Sequence, residues 1–589
     1  MMNEDKVYEI ILRWRNTPEE DLKPEDFQQF RDIGAACLRG GDGKQLLKFL
    51  QDEKNQGIMK SMGCGLLAPL MKEVVKNKKS RDDCQAAIMQ LTKICSSESL
   101  VESFIGLIED MDPGAISETI LALLPHLQTV LFQLEENRAA CLGLTLSALQ
   151  QQLSRLPVPF TLQQEEADEH GLCHCCIALA MFAKAFIDDL KRKEEKCHPT
   201  AEEEAMKAEI LKFCMRSLKE PLLEAELNQN KKSTLWLFAA EIMVSLPAIK
   251  EPIPGLLLFS SLKKFPMIDT SLSKESLACL AYLLFVQLIT IDMFPAVFSP
   301  VFILQCNMDH INQLLSSKKE SYLLKGLALF SKSLEKVEDD SLPVGLLDLK
   351  SFYNAPQNLR RVLTDCPFQH LRESGLKIFQ LFINKLDVEA KHKFFRCMLK
   401  TSHHAGVEGY IVKNIRNQVH LSIKADANRW FLGAELLPLL DLVLSLPQGA
   451  ETDLLANMDR IMESLNLLRY LLMQDKELRR NANMWEDFCR IKDDYLRMLR
   501  VSISMWRAYY SAEMKALKED QRLKAKEAKE KAKSTRLLRP ITVKHEKVPH
   551  MSPEIQHQVL QSALVTFDLM ESLIVRIDEI TEEKLGELH

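Results

Sequence analysis

Apolar residues recur at helical spacing along almost the whole of this chain, and this pattern limits the folds open to it. In the segment 81–95 they occupy positions i, i+3, i+4 and i+7, as an amphipathic helix requires. Similar spacing continues at 139–153, 235–246, 323–334, 371–386 and 432–446. Convincing alternation of apolar and polar residues, or an Asn-Gly hairpin turn, is not evident. The sequence therefore predicts an all-α protein.

Two helices and the start of a third are predicted around residue 100. The serines at 96 and 97 separate the helix at 81–95 from a second apolar pattern at 100–108. A short polar turn between amphipathic helices favours antiparallel packing. Next, Asp112 fits a helix N-cap and Pro113 the first helical position. We expect this third helix to stack on the first two.

The length of the chain excludes a single hydrophobic core. Its 589 residues contain only 20 Gly and 23 Pro, and a chain of this length forms several domains or an elongated array. Helix hairpins laid side by side, each burying one face against its neighbours, fit the periodicity. We therefore expect an irregular HEAT-like helical-repeat solenoid in two parts. A bundle of compact helical domains is the alternative.

Proline-rich stretches divide the predicted stack. "LPVPF" at 156–160, "EPIPG" at 251–255 and "SLPVG" at 341–345 each favour extended backbone, because proline disfavours the α region for the residue before it. The last of these stretches marks the predicted main boundary. We expect an N-terminal HEAT-like domain at 1–344 and a C-terminal HEAT-like domain at 345–589.

One central segment is apolar enough to raise the question of a membrane span. Between residues 277 and 306 the only formal charge is Asp292. Polar residues and two prolines interrupt the segment, however, and its longest uninterrupted run covers about half of what a bilayer needs. The pattern favours two packed helices joined by a kink, with a buried central helix.

Near its C-terminal end the chain has a Lys-rich stretch without an apolar stripe. Residues 515–539 contain ten Lys or Arg and four Asp or Glu, which gives +6 against −12 for the rest of the chain. A solvated charged helix or a disordered excursion is the expectation, and binding to an acidic partner is the alternative. A helix then restarts with Ser552 as cap and Pro553 in its first turn. The apolar face expected to dock comprises Ile555, Val559, Leu560, Phe567, Met570, Ile574 and Ile577.

The stretch "HGLCHCCIALA" at 170–180 concentrates metal-ligand and thiol residue types. Cys173 and Cys176 have zinc-knuckle spacing, and Cys197 and His198 could complete four ligands. The surrounding apolar residues, however, read as a continuous helix that buries its cysteines. A redox dithiol usually begins a helix beside a strand, which is not predicted here. Structural cysteines are the expectation, with a metal site or a redox site as alternatives.

Composition and motifs favour a binding protein over an enzyme. The net charge of −6 gives no general attraction to nucleic acid or an acidic membrane. Acids near the first methionine argue against a signal peptide, so the 15 cysteines are expected to be reduced in the cytoplasm or nucleus. GxSxG, HExxH and dinucleotide fingerprints are absent from the sequence. We expect no catalytic residues, no cofactor, no bound metal and no small-molecule substrate.

Several long stretches resemble the glomulin family, in order, from about residue 24 to residue 580. They include "SRLPVPF", "GLCHCCIALA", "LRESGLKIFQLFINKLD", "FFRCMLKTSHHAGVEGYIVKNIRNQ" and "SALVTFDLMESL". The resemblance implies a cytoplasmic HEAT-like protein that binds the RING-box subunit of cullin-RING ubiquitin ligases. It would cover the surface on which the ubiquitin-charged conjugating enzyme docks, and so inhibit ubiquitin transfer. The family is also linked to vascular development.

Masking of this kind needs a surface with aromatic anchors, arginines and acidic groups. The stretches "NRWFLG" and "NMDRIMESLNLLRYL" provide them in the C-terminal part. In the second stretch, the helical spacing predicts that four apolar residues face inward, namely Ile461, Leu465, Leu468 and Leu472. The predicted partner contacts are Trp430, Arg460, Asn466, Arg469 and Tyr470. Trp430 and Tyr470 have an alternative as core aromatics. A general α-solenoid scaffold for signalling or trafficking partners is the alternative function, and a zinc- or thiol-dependent enzyme built on residues 173–198 is a third hypothesis.

Overall fold

The structure is a computed structural model that describes residues 4–77, 79–194, 200–227, 232–258, 273–424, 429–474, 482–534 and 553–586. Its α-helices are α1 Glu4–Arg15, α2 Pro24–Arg39, α3 Gly43–Gln51, α4 Gln56–Met62, α5 Leu67–Lys76, α6 Arg81–Ile94, α7 Ser97–Glu109, α8 Ile116–Gln133, α9 Arg138–Leu153, α10 Leu162–Ala167, α11 Leu172–Glu194, α12 Ala201–Lys219, α13 Thr234–Ala248, α14 Ile253–Leu258, α15 Lys274–Phe285, α16 Pro300–Leu315, α17 Glu320–Glu335, α18 Lys350–Asp365, α19 Gln369–Lys385, α20 Val388–Thr401, α21 Ala405–Lys424, α22 Leu436–Val443, α23 Met458–Met473, α24 Ala482–Ser534 and α25 Pro553–Gly586.

The expected all-α helical-repeat fold is confirmed. Short 3-10 helices lie between some α-helices, at Glu19–Asp21, Glu53–Asn55, Gly63–Leu66, Ile291–Met293, Val344–Asp348 and Gly449–Glu451. In the described residues, β-structure is limited to one isolated bridge between Leu342 and Leu386. Chain contacts divide the protein into two compact units. Unit 1 comprises Met1–Val337 and Asn354–Phe379, and unit 2 comprises Glu338–Tyr353 and Gln380–His589. The domain boundary between residues 344 and 345 stays a prediction.

Unit 1 consists of two layers of helices in which alternate helices are neighbours. In one layer α6 packs against α8, α8 against α11, and α11 against α13. In the other, α7 packs against α9, α9 against α12, and α12 against α15, which continues to α16 and α17. Contacts between α8 and α9 and between α12 and α13 join the layers. Neighbouring helices thus bury apolar faces against one another within and between the layers, as stacked helical hairpins require.

The buried helix expected in the central apolar segment is confirmed. In α15, every residue from Ser276 to Leu284 is buried, and the helix packs against α12, α16 and α17. A helix that is apolar on all sides fits such a position because it has neighbours on all sides. Helices α15 and α16 contact one another as expected.

The predicted kink between α15 and α16 was wrong, because residues 286–299 form a connection with one short 3-10 helix, in which Leu288, Met293 and Val297 are exposed. Pro300 begins α16 after the N-cap Ser299, so this proline starts a new helix and does not bend a continuous one.

The predicted start of the third helix near residue 112 was wrong. The helices at 81–95 and 97–109 form as expected, but α8 begins at Ile116. Asp112 instead closes a turn, in which its carboxylate accepts a hydrogen bond from the Gly114 N–H at 3.1 Å. An Asp-Pro-Gly sequence satisfies a turn as well as an N-cap, because the Asp side chain bonds to the backbone two residues onward in both.

A buried lysine holds the turn that follows α12. Lys325, on α17, donates hydrogen bonds to the carbonyl oxygens of Leu223, at 3.0 Å, and Ala225. Its ammonium also lies 5.6 Å from the centre of the Tyr282 ring. Burial lowers the pKa of Lys325 to about 8. The carbonyls accept from this cation in place of water, which links three helices of unit 1.

Lys325 should make the stability of unit 1 depend on pH. An unfolded lysine has a pKa of about 10.4, so between the folded and unfolded pKa values the unfolded chain binds more protons and stability rises with pH. We expect the unfolding free energy of the wild type, relative to Lys325→Met, to increase by about 1 kcal/mol per pH unit from pH 8 to 10. Urea denaturation of both proteins at several pH values measures this difference. Parallel pH profiles for the two proteins would contradict the assignment.

Unit 2 repeats the two-layer arrangement with fewer helices. Helix α20 packs against α21 and α22, α21 against α23, and α23 against α25. The segment before α18 is tied to this unit by charge, since the ammonium groups of Lys385 and Lys391 pair with Asp339 and Asp340. Both lysine side chains are buried while the two carboxylates are largely exposed. The lysines therefore bury their stems and bring their charges to the surface.

The last helix docks through most of the predicted face. Phe567, Met570, Ile574 and Ile577 of α25 are buried against α23 and α24. Ile555 and Val559 were predicted wrongly, because 48% of each side chain is exposed. The segment His557–Lys584 is long and apolar enough to cross a membrane by length and composition alone, a test that core helices also pass. The predicted cap Ser552 lies outside the described residues.

Residues 515–534 of the Lys-rich stretch form the distal part of α24, which continues to Ser534. At the start of the stretch, residues 515–524 are exposed except for the half-buried Leu517 and Gln521. Among them, Lys524 pairs with Asp520 at 2.6 Å, one helical turn apart. This part agrees with the expected solvated charged helix, and residues 535–539 lie outside the described parts.

Candidate partner-binding face

The predicted contact residues of the C-terminal part lie where α21 and α23 pack side by side. A side chain at Gly409 would place its Cβ 2.9 Å from the Asp459 carbonyl oxygen, so the two helices approach closely there. Four residues of α23 predicted to face inward are all buried, namely Ile461, Leu465, Leu468 and Leu472. Because these residues are buried, the opposite side of α23 faces solvent.

Arg460 faces inward, unlike the polar residues that follow it on α23. Its guanidinium pairs with the Glu408 carboxylate at 2.8 Å, and both side chains are at most 10% exposed. The same guanidinium donates to the carbonyl oxygens of Leu442, at 2.9 Å, and Ser445, at 3.2 Å. Arg460 therefore joins α21, α23 and the end of α22. In this position the guanidinium supports the surface above it and has little area to offer a partner.

Two pairs connect α21 to α23 on the solvent side. His420 Nδ1 and the Tyr470 hydroxyl share a hydrogen bond of 2.8 Å, and Arg416 lies 3.6 Å from Glu463. Partial burial raises the pKa of Tyr470, so its hydroxyl keeps its proton. We call the outward surface the α21–α23 face and define it by Arg416, His420, Glu463, Asn466, Arg469 and Tyr470.

Of the predicted contacts, Asn466, Arg469 and Tyr470 lie on this face. Arg469 is exposed, whereas Asn466 and Tyr470 are half-buried. Asn466 and Tyr470 are one helical turn apart on α23, and Arg469 lies between them in the chain. Arg469 makes no ion pair with any residue that the structure describes. The face thus combines an aromatic hydroxyl, an amide and an exposed guanidinium on one helix.

Trp430 belongs to a second cluster, which packs against α20. The Arg429 guanidinium lies 4.6 Å from the centre of the Trp430 ring, and the His392 ring lies 5.2 Å from it. Burial lowers the pKa of His392, so its neutral ring donates from Nε2 to the Glu435 carbonyl oxygen at 2.9 Å. We call His392, Arg429 and Trp430 the Trp430 patch. Trp430 is half-buried, so its ring contributes both to the packing and to the surface.

Sequence reasoning missed the partners of these residues on α20 and α21. Arg416 and His420 are four residues apart and each directly follows a buried residue, Ile415 and Val419. That spacing was a usable signal for a polar stripe on α21. Its pairing with α23 was not visible, because the partners are about fifty residues apart in the chain.

The cysteine-rich stretch is confirmed as core helix. Cys173, Cys175 and Cys176 lie in the first turns of α11 and are buried. Burial raises the pKa of the Cys175 thiol to about 12 and also raises the pKa of the Cys176 thiol, so these thiols stay protonated. Asp168 caps the helix by accepting hydrogen bonds from the N–H groups of Cys173 and His174, each at 3.0 Å.

The metal-site alternative has little geometric support in the part of the chain that the structure covers. Within the described residues, no group of three or more His, Cys, Asp or Glu side chains is placed to hold a metal ion. Cys197 and His198, the predicted further ligands, lie outside the described residues.

Comparison with known proteins identifies relatives along the whole chain. A family model described as "Uncharacterised protein family, YAP/Alf4/glomulin" matches residues 261–563. Glomulin of Mus musculus is 42% identical over 594 residues, and glomulin of Homo sapiens is 41% identical over 597 residues. Each alignment covers 98% of this chain and 98% of the relative.

A solved circular tandem repeat protein with novel repeat topology and enhanced subunit contact surfaces covers 96% of this chain and 91% of its own, at 11% identity and a TM-score of 0.16. That similarity is too low to carry an argument. The two relatives, by contrast, align at more than 40% identity over nearly both full lengths. The sequence stretches, the family model and these relatives agree, and the chain belongs to the glomulin family.

Proposed function

We propose that this protein is a non-catalytic inhibitor of cullin-RING ubiquitin ligases. It binds the RING-box subunit and masks the surface on which the ubiquitin-charged conjugating enzyme docks, and it acts in the cytoplasm. The observation that carries the proposal is the 41–42% identity to two glomulins over 98% of each chain. The activity itself is the one that the family resemblance implies.

The α21–α23 face has the chemistry that a masking contact needs. Tyr, Trp and Arg are the residues that most often dominate binding energy at protein interfaces. Here Arg469 is exposed and unpaired among the described residues, while hydrogen bonding to His420 holds the Tyr470 ring in place. A side chain that is already ordered loses less entropy on binding. The face therefore presents Tyr470 as an ordered aromatic contact, next to the positive charge of Arg469, which a carboxylate of the partner can bind.

The Trp430 patch supplies a second anchor in the same unit. Arg429 stacks on the Trp430 ring, and an arginine held over an aromatic ring keeps its edge N–H groups available for hydrogen bonding. A stable protein contact buries about 800 Å² on each partner, which is more than one helix face provides. The proposal therefore assigns contacts to both the α21–α23 face and the Trp430 patch.

Arg460 has a supporting role in this proposal. Its ion pair with Glu408 lies beneath the outward residues of α23. A change at Arg460 would alter binding by displacing α23, whereas a change at Arg469 would act on the partner directly. The two kinds of change can be separated by comparing protein stability with partner affinity.

Inhibition of ubiquitin chain formation tests the proposal directly. The complete protein is added in increasing amounts to a reconstituted cullin-RING ligase with its conjugating enzyme, and binding to the isolated RING-box subunit is measured in parallel. We expect suppression that is relieved by excess conjugating enzyme, because the two compete for one surface. Full ligase activity at saturating protein would refute the proposal. Capture of other partners without any RING-box protein would favour the general scaffold instead.

Substitutions on the α21–α23 face should weaken the inhibition. We expect Arg469→Glu and Tyr470→Ala each to weaken RING-box binding by about tenfold or more, since an interface anchor contributes about 2 kcal/mol. Matched controls are Arg192→Glu and Tyr353→Ala, which change exposed residues of the same types elsewhere. Binding is measured by calorimetry together with the thermal unfolding of each variant. If the face variants and the controls lost equal affinity for the RING-box subunit, the α21–α23 face would not be part of the interface.

A further inference from the structure

A hydrogen bond at the surface of unit 2 joins His420 of α21 to Tyr470 of α23. His420 Nδ1 lies 2.8 Å from the Tyr470 hydroxyl, and the two rings meet edge to face with their centres 6.0 Å apart. His420 is exposed and Tyr470 is half-buried. Among the residues that the structure describes, His420 is the only hydrogen-bond partner of this hydroxyl. The bond to His420 therefore determines what the hydroxyl can offer to another protein.

The hydroxyl is the donor in this pair. A tyrosine hydroxyl has one proton to donate, whereas a neutral histidine ring carries a proton on one nitrogen and accepts with the other. A phenol is a stronger acid than neutral imidazole, and the bare ring nitrogen is a better acceptor than the phenol oxygen. The favoured arrangement is therefore Tyr470 O–H donating to His420 Nδ1. The proton of the His420 ring then lies on Nε2, because the bond made by one ring nitrogen sets the state of the other.

A hydroxyl that donates to His420 has only its lone pairs left for a partner. Its single proton points from α23 toward α21, so toward any other protein the Tyr470 oxygen is a hydrogen-bond acceptor. The donated bond also polarises the hydroxyl and makes its oxygen a stronger acceptor. Without an acceptor at position 420, the hydroxyl could rotate and present either its proton or a lone pair. His420 thus gives the Tyr470 hydroxyl one defined direction.

The charges of the α21–α23 face limit the donor that fits against Tyr470. Arg416 lies one helical turn before His420 and 3.6 Å from Glu463, and Arg469 directly precedes Tyr470 in the chain. The face thus carries two positive charges and one negative charge. A lysine ammonium of a partner would meet a net positive charge, and such like-charge contacts are unfavourable at interfaces. An uncharged N–H group does not have this cost.

We propose that His420 is a positioning residue that holds the Tyr470 hydroxyl as a hydrogen-bond acceptor, and that the RING-box group bound there is an uncharged N–H. The inference rests on the proposed function, since it names the chemistry that the same face recognises. The N–H belongs to a main-chain amide or to a neutral side chain. Beside it, the Arg469 guanidinium, which can only donate, binds a carboxylate.

The proton position on His420 can be measured in the unbound full-length protein. Histidine carrying the heavy nitrogen isotope is incorporated, and long-range proton–nitrogen spectra are recorded at about pH 8. The signal that His420→Asn removes belongs to His420. We expect its proton on Nε2, and we expect the Nδ1 resonance to move when Tyr470→Phe removes the donor. A proton on Nδ1, or an Nδ1 resonance unchanged by Tyr470→Phe, would overturn the assignment whatever the partner.

Two replacements of His420 separate hydrogen bonding from packing. Binding of the full-length protein to the isolated RING-box subunit is measured by calorimetry, and the thermal unfolding of each variant is followed in parallel. We expect His420→Leu to weaken binding about fivefold, the effect of one hydrogen bond. His420→Asn should restore binding to within about twofold of the wild type, because an asparagine amide oxygen can accept in place of Nδ1. Equal losses in both variants, or none with His420→Leu, would contradict the positioning role.

A double-mutant cycle tests whether His420 acts through Tyr470. Tyr470→Phe alone should weaken binding about fivefold, and adding His420→Leu should cause no further loss, because no hydroxyl remains to be positioned. His170→Leu changes an exposed histidine of unit 1 and should bind as the wild type does. Additive losses would show that His420 contacts the partner itself. Absence of binding by the wild type would instead refute the proposed function and with it the partner assignment, while the proton position on His420 is decided by the spectra.

The group bound at Tyr470 can be found from the RING-box side. The RING-box subunit is labelled with the heavy nitrogen isotope and mixed with the full-length wild type or with Tyr470→Phe. We expect one main-chain or neutral side-chain N–H resonance to shift in the wild-type complex and to stay near its free position with Tyr470→Phe. If a lysine ammonium responded instead, or if no N–H resonance depended on the Tyr470 hydroxyl, the partner group would be wrongly assigned.

Discussion

Arg460→Met is expected to lower the unfolding free energy of unit 2 by about 3–5 kcal/mol, which is the range for removing one partner of a buried ion pair. Methionine keeps much of the packing of the arginine stem but leaves the Glu408 carboxylate buried without its cation. It also removes the donor to the Leu442 and Ser445 carbonyl oxygens. Urea denaturation, with hydrogen exchange of peptides from α21 and α23, measures the loss.

A second variant distinguishes the buried charge from lost packing. Replacing both partners, as Glu408→Leu with Arg460→Met, should recover part of the stability because no uncompensated charge remains. Arg469→Ala serves as the exposed control on the same helix and should change the free energy by less than about 0.5 kcal/mol. If Arg460→Met unfolded at the same urea concentration as the wild type, the ion pair would have no structural role.

Phe567→Ala is expected to detach α25, at a cost of about 3–5 kcal/mol for truncating a buried phenylalanine. Phe567 is fully buried and lies 5.6 Å from the Tyr510 ring, at the point where α24 and α25 pack. Leu569→Ala is the matched control, since 55% of Leu569 is exposed on the same helix. Limited proteolysis should cleave α25 in the Phe567 variant at protease levels that spare both the wild type and the control. Equal resistance in all three proteins would contradict the docking.

The buried side of each helix could largely be predicted from the sequence. Periodicity identified the inward residues of α23 and the buried helix α15. It could do so because the burial of one side of a helix appears in the spacing of apolar residues within that helix alone. The cysteines of α11 were placed in the core for the same reason. The exposure of Ile555 and Val559 shows the limit, since helical spacing alone does not indicate how far along α25 the apolar stripe is buried.

Pairings between distant residues could not be predicted. Arg460 has the same polar character as Arg469, but its guanidinium binds inward to Glu408, fifty-two residues earlier, and to the carbonyl oxygens of Leu442 and Ser445. Likewise, Lys385 and Lys391 pair with Asp339 and Asp340, about fifty residues earlier in the chain. Helical spacing relates only residues within one helix, so it could not predict these ion pairs. The wrong prediction that a helix begins at Asp112 has a local cause. A turn and a helix N-cap can both use a hydrogen bond that the Asp carboxylate accepts from a backbone N–H two residues onward. Of the five predicted contacts, the structure turns Arg460 inward, and binding by the other four stays a prediction.

The burial of Arg460 beneath the α21–α23 face has a consequence for the interpretation of inherited or engineered changes. Under the proposed function, a substitution there would weaken partner binding by displacing α23, and the loss of stability would also make the chain a better target for cellular quality control. Loss of inhibition would then follow from low abundance as much as from weak affinity. Selection for the proposed interface and selection for the fold would therefore act on the same few buried atoms.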